Sequence, residues 1–123
     1  MADRPTRAWR RRHPHARLIE AYRDAHEKLS AAYNARPLPR RAEPADVRAF
    51  LVKLTQANLS LRLLRVLCNE DVKPVVDRAH QLVDRAVRAP AGEALHKDPD
   101  VWMLDAINAV EEAARLDVQL ELR

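Results

Sequence analysis

The amino-acid sequence predicts an all-α protein: a small four-helix bundle with a flexible basic arm at its N-terminus. Apolar residues recur at three- and four-residue spacing in four segments of the 123-residue chain, which is the pattern of a helix with one buried face. A proline stands near the beginning of each segment, where the first helical turn tolerates it. Gly92 is the single glycine, so hairpin turns that need glycine, and strands with them, have little support.

One helical domain is expected over residues 15–123, after an arm over residues 1–14. The predicted helices span residues 15–34, 44–68, 71–88 and 99–117. A proline-rich linker over residues 36–44 joins the first two, and the short connections favour antiparallel neighbours. The pattern leaves open whether the second and third helices are separate or form one bent rod. Residues 118–122 alternate polar and apolar side chains, so a short terminal strand is an alternative there.

Each helix has its own signals. In the first helix, Leu18 and Tyr22 begin the apolar face. In the third, Pro74 is tolerated only if the helix begins a few residues before it. Valines of the third helix then share one face. The fourth helix has the clearest start, Asp98-Pro99-Asp100, because a capping carboxylate, a first-turn proline and a second acid all suit a helix N-terminus.

The second helix is apolar on two sides. Its wider stripe consists of Val47, Phe50, Leu51, Leu54, Ala57, Leu61, Leu64 and Cys68. A second strip consists of Val52, Leu59, Leu63, Val66 and Leu67. A helix of this kind is either the centre of a bundle or shared with a partner. We therefore predict that it is the most buried element of the protein.

If the second strip is shared, it forms an interface with another protein or with a second copy of the chain. The candidate interface residues are Leu59, Arg62, Leu63, Arg65 and Val66. Polar residues beside an apolar stripe can set the register or the choice of partner. This pattern predicts an adaptor or an assembly subunit as one function class.

The segment from Leu54 to Leu67 also admits a helix-turn-helix interpretation. Asn58 tolerates a left-handed turn and Ser60 could cap a helix. Arg62 and Arg65 would then project from a recognition helix toward DNA. The usual turn glycine is missing, and an uninterrupted amphipathic helix explains the same residues with fewer assumptions.

The basic arm is the feature that points to a polyanionic partner. Residues 1–41 contain 11 basic and 4 acidic side chains, whereas residues 42–123 contain 11 basic and 14 acidic ones. Guanidinium groups pair with phosphate oxygens, and an indole stacks on a base. The candidate nucleic-acid-binding residues are Arg4, Arg7, Trp9, Arg10, Arg11, Arg12, Arg17, Arg40 and Arg41. We expect an accessory or regulatory protein that contacts DNA or RNA, although a solvated terminus without a specific partner has the same composition.

Metal chemistry and catalysis have little support. Asp77, His80 and Asp84 share a helix face and are the weak candidates for a metal site, but the pattern favours a solvated charged face. One glycine excludes glycine-rich phosphate loops, and one cysteine excludes a cysteine-rich zinc site. Cys68 lies on the apolar stripe, where a small core residue is expected. We predict a non-enzymatic protein without a cofactor or a bound metal.

The chain has no segment that predicts contact with a membrane. No apolar run approaches the roughly 18 residues that a spanning helix needs, and the basic N-terminus lacks the apolar region of a secretory signal. A cytoplasmic protein is expected. Arginine far outnumbers lysine, which is typical of GC-rich genomes and favours a bacterial source.

Overall fold

Four helices make up the fold, as a computed structural model of the chain shows for residues 14–37, 43–89 and 99–121. They are α1 (Pro14–Asn34), α2 (Pro44–Leu67), α3 (Lys73–Arg88) and α4 (Pro99–Glu121). The described ranges contain no strand, so the predicted all-α fold class is confirmed. The predicted arm, apart from Pro14, which begins α1, and most of the proline-rich linker lie outside these ranges.

The helix ends follow the prolines and the turns between them. Pro44 and Pro74 lie in the first turns of α2 and α3, where the missing N–H leaves no hydrogen bond unmade. α2 ends when the Cys68 N–H donates to the Leu64 carbonyl at 2.8 Å and the backbone becomes extended. A short turn then leads to α3, so the second and third helices are separate.

The alternative of a terminal strand is wrong for residues 118–121, the described part of that segment, which are helical. α4 continues through Glu121, because its inward positions still meet other helices near its end. Val110, Ala113 and Asp117 are buried at three- and four-residue spacing, which keeps the helical period up to the last turns.

Contacts between the helices define an up-down-up-down order. Tyr22 contacts Asp117, and Arg36, just after α1, pairs with Asp100, so α1 and α4 are antiparallel. Asn69, just after α2, also hydrogen-bonds to Asp117, which places the end of α2 near the beginning of α1. α1 and α2 are therefore antiparallel as well.

α2 and α3 form an antiparallel hairpin. Asn58 contacts Asp84 and Arg65 contacts Asp77, so residue numbers rise along one helix as they fall along the other. α1 packs against α2 and α4, and α3 packs against the same two helices. α2 and α4 consequently occupy opposite corners of the bundle.

The core is aliphatic and continuous through all four helices. Side chains with less than 2% exposure include Leu29, Phe50, Leu54, Leu61, Leu64, Val72, Val76, Val83, Met103 and Val110. Burying one such side chain contributes about 1.5–3 kcal/mol relative to leaving it in water. Cys68 is a buried free thiol at the edge of this core, as expected, and burial raises its pKa.

Candidate functional site: the outer face of the second helix

Four of the five residues of the predicted second apolar strip of α2 face away from the bundle, whereas Leu67 is half-buried and packs against the core. Val52 is 57% exposed, Leu59 58%, Leu63 53% and Val66 78%. The prediction that α2 is the most buried helix is therefore wrong for this side of it. The exposed row includes two smaller or polar neighbours, Ala49 and Gln56. We call the row the outer strip: Ala49, Val52, Gln56, Leu59, Leu63 and Val66.

The position of α2 in the bundle explains why the outer strip is exposed. Among the described helices, α1 and α3 flank α2 on its two sides. Its opposite face fills the core with Phe50, Leu54, Ala57, Leu61 and Leu64. No described element covers the remaining side. The apolar pattern showed two faces on this helix but not which of them has neighbours.

A row of this kind differs from scattered exposed apolar residues, which are normal on protein surfaces. The outer strip recurs at spacings of three and four residues, so its members form one line along the helix. At 1.5 Å per residue, the line from Ala49 to Val66 is about 26 Å long. Contiguous exposed apolar surface marks sites where proteins bind other molecules.

Two exposed apolar residues on α4 provide a comparison. Val101 is 59% exposed and Leu104 is 42% exposed, near the beginning of that helix. They lie at the opposite corner of the bundle and form no longer row along the described part of α4. The outer strip of α2 is the more extensive apolar surface.

Basic side chains line the edge of the outer strip that faces α3. The side chain of Arg62 is 52% exposed, and its guanidinium lies 4.0 Å from the Asp84 carboxylate of α3, beyond hydrogen-bond range. Arg48 is exposed on nearly the same side, about four turns earlier. Between Val47 and Leu67 the helix has no Asp or Glu. We call Arg48 and Arg62 the basic edge.

The edge that faces α1 is mixed in character. Lys53 is half-buried there, and the Ser60 hydroxyl donates a 2.6 Å hydrogen bond to Asp24 of α1. The carboxylate of Asp24 is therefore engaged within the bundle. Any charge preference of the outer strip comes mainly from its basic edge.

Polar side chains join α2 to α3 beneath the basic edge. Arg65 pairs with Asp77, and the Asn58 amide donates to Asp84 at 3.2 Å. Asp84 also accepts a 2.8 Å bond from Arg88. Burial acts to raise the pKa of Asp84, but the hydrogen bonds from Arg88 and Asn58 outweigh it and hold that pKa below its ordinary value.

The row of Asp77, His80 and Asp84 thus lies at the boundary between two helices. The expectation of a solvated row is wrong for His80, which is only 9% exposed, because α2 packs over this side of α3. Arg65 and Arg62 approach the two carboxylates, so the row interacts with cations of the protein itself. Within the described ranges, no three His, Cys, Asp or Glu side chains converge as a ligand set for a metal.

His80 is buried without a hydrogen bond at its Nε2 atom. Burial lowers its pKa, and the positive charges of Arg65 and Arg62 lower it further, against the opposing effect of Asp84 and Asp77. The neutral imidazole is therefore the form that the folded protein favours. Its environment resembles a core position more than a ligand-binding one.

The turn required by the helix-turn-helix interpretation is absent. α2 is continuous from Pro44 to Leu67, and no described residue has a positive φ angle. Asn58, the residue expected in the turn, lies within α2, and its buried side chain donates a hydrogen bond to Asp84 of α3. Arg62 and Arg65 accordingly face α3 and do not form part of a second, recognition helix.

The predicted nucleic-acid-binding residues fall almost entirely outside the described ranges. Arg17 is described and is exposed on α1. The others, which lie outside, are Arg4, Arg7, Trp9, Arg10, Arg11, Arg12, Arg40 and Arg41. Their predicted role stays a prediction.

The sequence pattern indicated Val52, Leu59, Leu63 and Val66 of the outer strip, and Arg62 of its basic edge. It did not single out Ala49, Gln56 or Arg48, although all three follow from the spacing of the strip. The six residues of the outer strip fit the two core positions of a heptad repeat: Ala49, Gln56 and Leu63 at one, Val52, Leu59 and Val66 at the other. Arg48 and Arg62 then share one of the positions that flank the core. This signal was available in the sequence.

Comparison of the chain with known protein families, with curated proteins and with solved structures finds no match. None of the described helices is long and apolar enough to cross a membrane. The outer strip and its basic edge are accordingly defined by their own geometry and chemistry.

Proposed function

We propose that the protein is a non-enzymatic adaptor or assembly subunit that binds another polypeptide through the outer strip of α2. The observation that carries this proposal is the continuous row of exposed apolar side chains, with Leu59 and Leu63 at its centre. The same helix already has a complete inner face, so the outer strip is not needed to close the core of the described domain.

The energetics indicate how such a complex forms. Covering the exposed halves of Val52, Leu59, Leu63 and Val66 contributes about 1 kcal/mol each at about 25 cal/mol per Å². Association costs about 4 kcal/mol or more in lost translational and rotational freedom. The strip therefore supplies the centre of an interface, and a stable complex also requires contacts along the edges of α2.

Site-specific crosslinking tests the proposal. A photo-activatable amino acid is introduced at Leu63 of the full chain, in cells that naturally contain the protein. The control carries it at Gln81, an exposed position on α3. The proposal predicts a discrete adduct with one identified protein, or with a second copy, at Leu63 and not at Gln81.

A second substitution makes the result specific to the outer strip. Leu59→Asp, introduced together with the crosslinker, is expected to abolish the adduct, whereas Leu104→Asp, an exposed leucine on α4, is expected to leave it intact. Circular dichroism confirms that each variant is folded. The absence of an adduct that is enriched at Leu63 over Gln81 would overturn the proposal.

We further propose that the basic arm over residues 1–14, together with Arg17, Arg40 and Arg41, contacts nucleic acid. The charge distribution supports this second function, because residues 1–41 have a net charge of +7 and the rest of the chain has −3. Arginine–phosphate pairs position a protein on a nucleic acid with little reading of sequence. The two proposals are compatible, since they use different parts of the chain.

A further inference from the structure

We infer that the partner of the outer strip is an amphipathic α-helix whose flanking positions are acidic. This inference rests on the proposed function and adds the chemistry of the partner. It depends on two properties of α2: the linear 3–4 spacing of the exposed apolar row, and the basic edge beside it.

The shape of the strip favours a helix as the occupant. The outer strip forms a single straight ridge about 26 Å long, with side chains at the spacing of heptad core positions. A second helix laid along this ridge places its own apolar row between the same side chains, as in coiled coils. The ridge projects from a corner of the bundle, where α1 and α3 flank α2 and none of the described elements lies over the outer strip.

The charge of the basic edge favours an acidic helix. Arg48 is exposed and makes no ion pair or hydrogen bond with any described residue. Arg62 lies 4.0 Å from the Asp84 carboxylate. That carboxylate already accepts shorter hydrogen bonds, at 2.8 Å from Arg88 and 3.2 Å from Asn58. The guanidinium groups of Arg48 and Arg62 can therefore donate hydrogen bonds to a carboxylate of a partner. Arginine suits this role because its guanidinium pairs with a carboxylate through two parallel hydrogen bonds.

A second copy of α2 fits this edge less well. A parallel pair places Arg48 opposite Lys53 of the other copy, which are like charges at flanking positions of the heptad. An antiparallel pair offers Arg48 and Arg62 no carboxylate, because α2 has no Asp or Glu between Val47 and Leu67. Charge complementarity therefore selects a different polypeptide over self-association.

A set of three synthetic helical peptides tests the inference. The peptides share the same leucine and isoleucine core positions over three heptads and differ only at the flanking positions, which are all Glu, all Gln or all Lys. Binding to the full chain is followed by fluorescence anisotropy, at peptide concentrations where light scattering shows monomers. The Glu peptide is expected to bind about tenfold more tightly than the Lys peptide, with the Gln peptide between them.

Substitutions of the basic edge provide the matched controls. In the double variant Arg48→Glu, Arg62→Glu the order of the peptides is expected to invert. Arg115→Glu, an exposed arginine on α4, is expected to keep the original order. Leu59→Asp is expected to abolish binding of all three peptides, which shows that they occupy the outer strip.

The outcomes separate the inference from the proposed function. If the three peptides bind equally and Leu59→Asp abolishes their binding, the inference that the partner is acidic would be overturned, while the proposed interface at the outer strip would be supported. A dimer of the full chain that Leu59→Asp dissociates would do the same, with a second copy as the occupant. If no peptide binds, or if Leu59→Asp binds them undiminished, the inference is overturned, and the crosslinking at Leu63 decides the proposed function independently.

Discussion

The hydroxyl of Tyr22 donates a 2.6 Å hydrogen bond to Oδ2 of Asp117, a carboxylate with no exposure to solvent. The side-chain amide of Asn69 donates to the other oxygen of the same carboxylate. These contacts join α1, α4 and the end of α2 at one end of the bundle. Burial raises the pKa of Tyr22 well above its ordinary value of 10.0, and the neighbouring carboxylate raises it further, so the phenol remains a donor.

Removing this donor is expected to destabilise the bundle. Tyr22→Phe deprives the buried Asp117 of one hydrogen bond, and a lost bond to a buried charged group costs about 1.5–3 kcal/mol. Urea unfolding followed by circular dichroism measures the change. Tyr33→Phe is the matched control, since the hydroxyl of the half-buried Tyr33 makes no hydrogen bond to a described residue. Equal effects of the two substitutions would contradict the role assigned to Asp117.

The two faces of α2 are expected to respond differently to the same truncation. Leu61 is fully buried and Leu59 is 58% exposed, only two residues away on the same helix. Leu61→Ala is expected to cost about 2–5 kcal/mol, because it leaves a cavity in the core. Leu59→Ala is expected to change the free energy of unfolding by less than about 0.5 kcal/mol. A large loss for Leu59→Ala would show that the outer strip belongs to a core.

His80 is expected to make the protein less stable in mild acid. Burial, then the charges of Arg65 and Arg62, hold the pKa of His80 below its ordinary 6.5 in the folded state, although Asp84 and Asp77 oppose this. As the pH falls below about 6.5, the unfolded chain binds the proton before the folded one does, so the free energy of unfolding decreases. Chemical unfolding between pH 7.5 and 5 measures this decrease.

Two variants assign the pH effect to one histidine. His80→Gln is expected to flatten the dependence, whereas His26→Gln, at a surface pair with Glu111, is expected to keep it. The pKa of Asp84 is held below its ordinary 3.8, so this carboxylate lowers the free energy of unfolding only at pH values below about 3.8, outside the range of this experiment. An unchanged slope in His80→Gln would contradict the account of this buried site.

The basic segment at the N-terminus is expected to govern nucleic-acid binding. Replacing Arg10, Arg11 and Arg12 with Gln removes three phosphate partners, so the slope of log K against log salt is expected to fall by about 2–3. Binding to duplex DNA and to single-stranded RNA is measured across salt concentrations. The control replaces three exposed arginines of the helices with Gln: Arg78, Arg85 and Arg115. Equal slopes for both triple variants, or no binding at moderate salt, would contradict the proposal.

The four helices were predictable because their local signals agree with one another. The apolar period of each segment and the prolines at 44, 74 and 99 indicate the same boundaries, and the structure places helix starts at or next to these prolines. The largest error was at the end of α4, which was predicted at residue 117, while the start of α3 was predicted at residue 71 and lies at Lys73. Alternation over residues 118–122 resembles a strand locally, but the packing of the preceding turns carries the helix through Glu121.

Burial was less predictable than secondary structure. The period of α2 shows two apolar faces but not which one has a neighbour, since this depends on the arrangement of the other helices. The buried polar side chains include those of His80 and Asp117. The row that contains His80 was expected to be solvated, and an aspartate is rarely buried unless it is paired. Asp117 falls four residues after Ala113 on the core face of α4, so its position, unlike its polarity, indicated burial.

Methyl resonances of the full chain provide the most direct test of the claim that the outer strip binds an acidic amphipathic helix. The strip contains two valines and two leucines, and Val101 and Leu104 on α4 serve as internal references. During titration with the Glu-flanked peptide, the methyl signals of Val52, Leu59, Leu63 and Val66 are predicted to shift together while those of the references stay in place. Shifts confined to Val101 and Leu104, or no shifts at all, would contradict it.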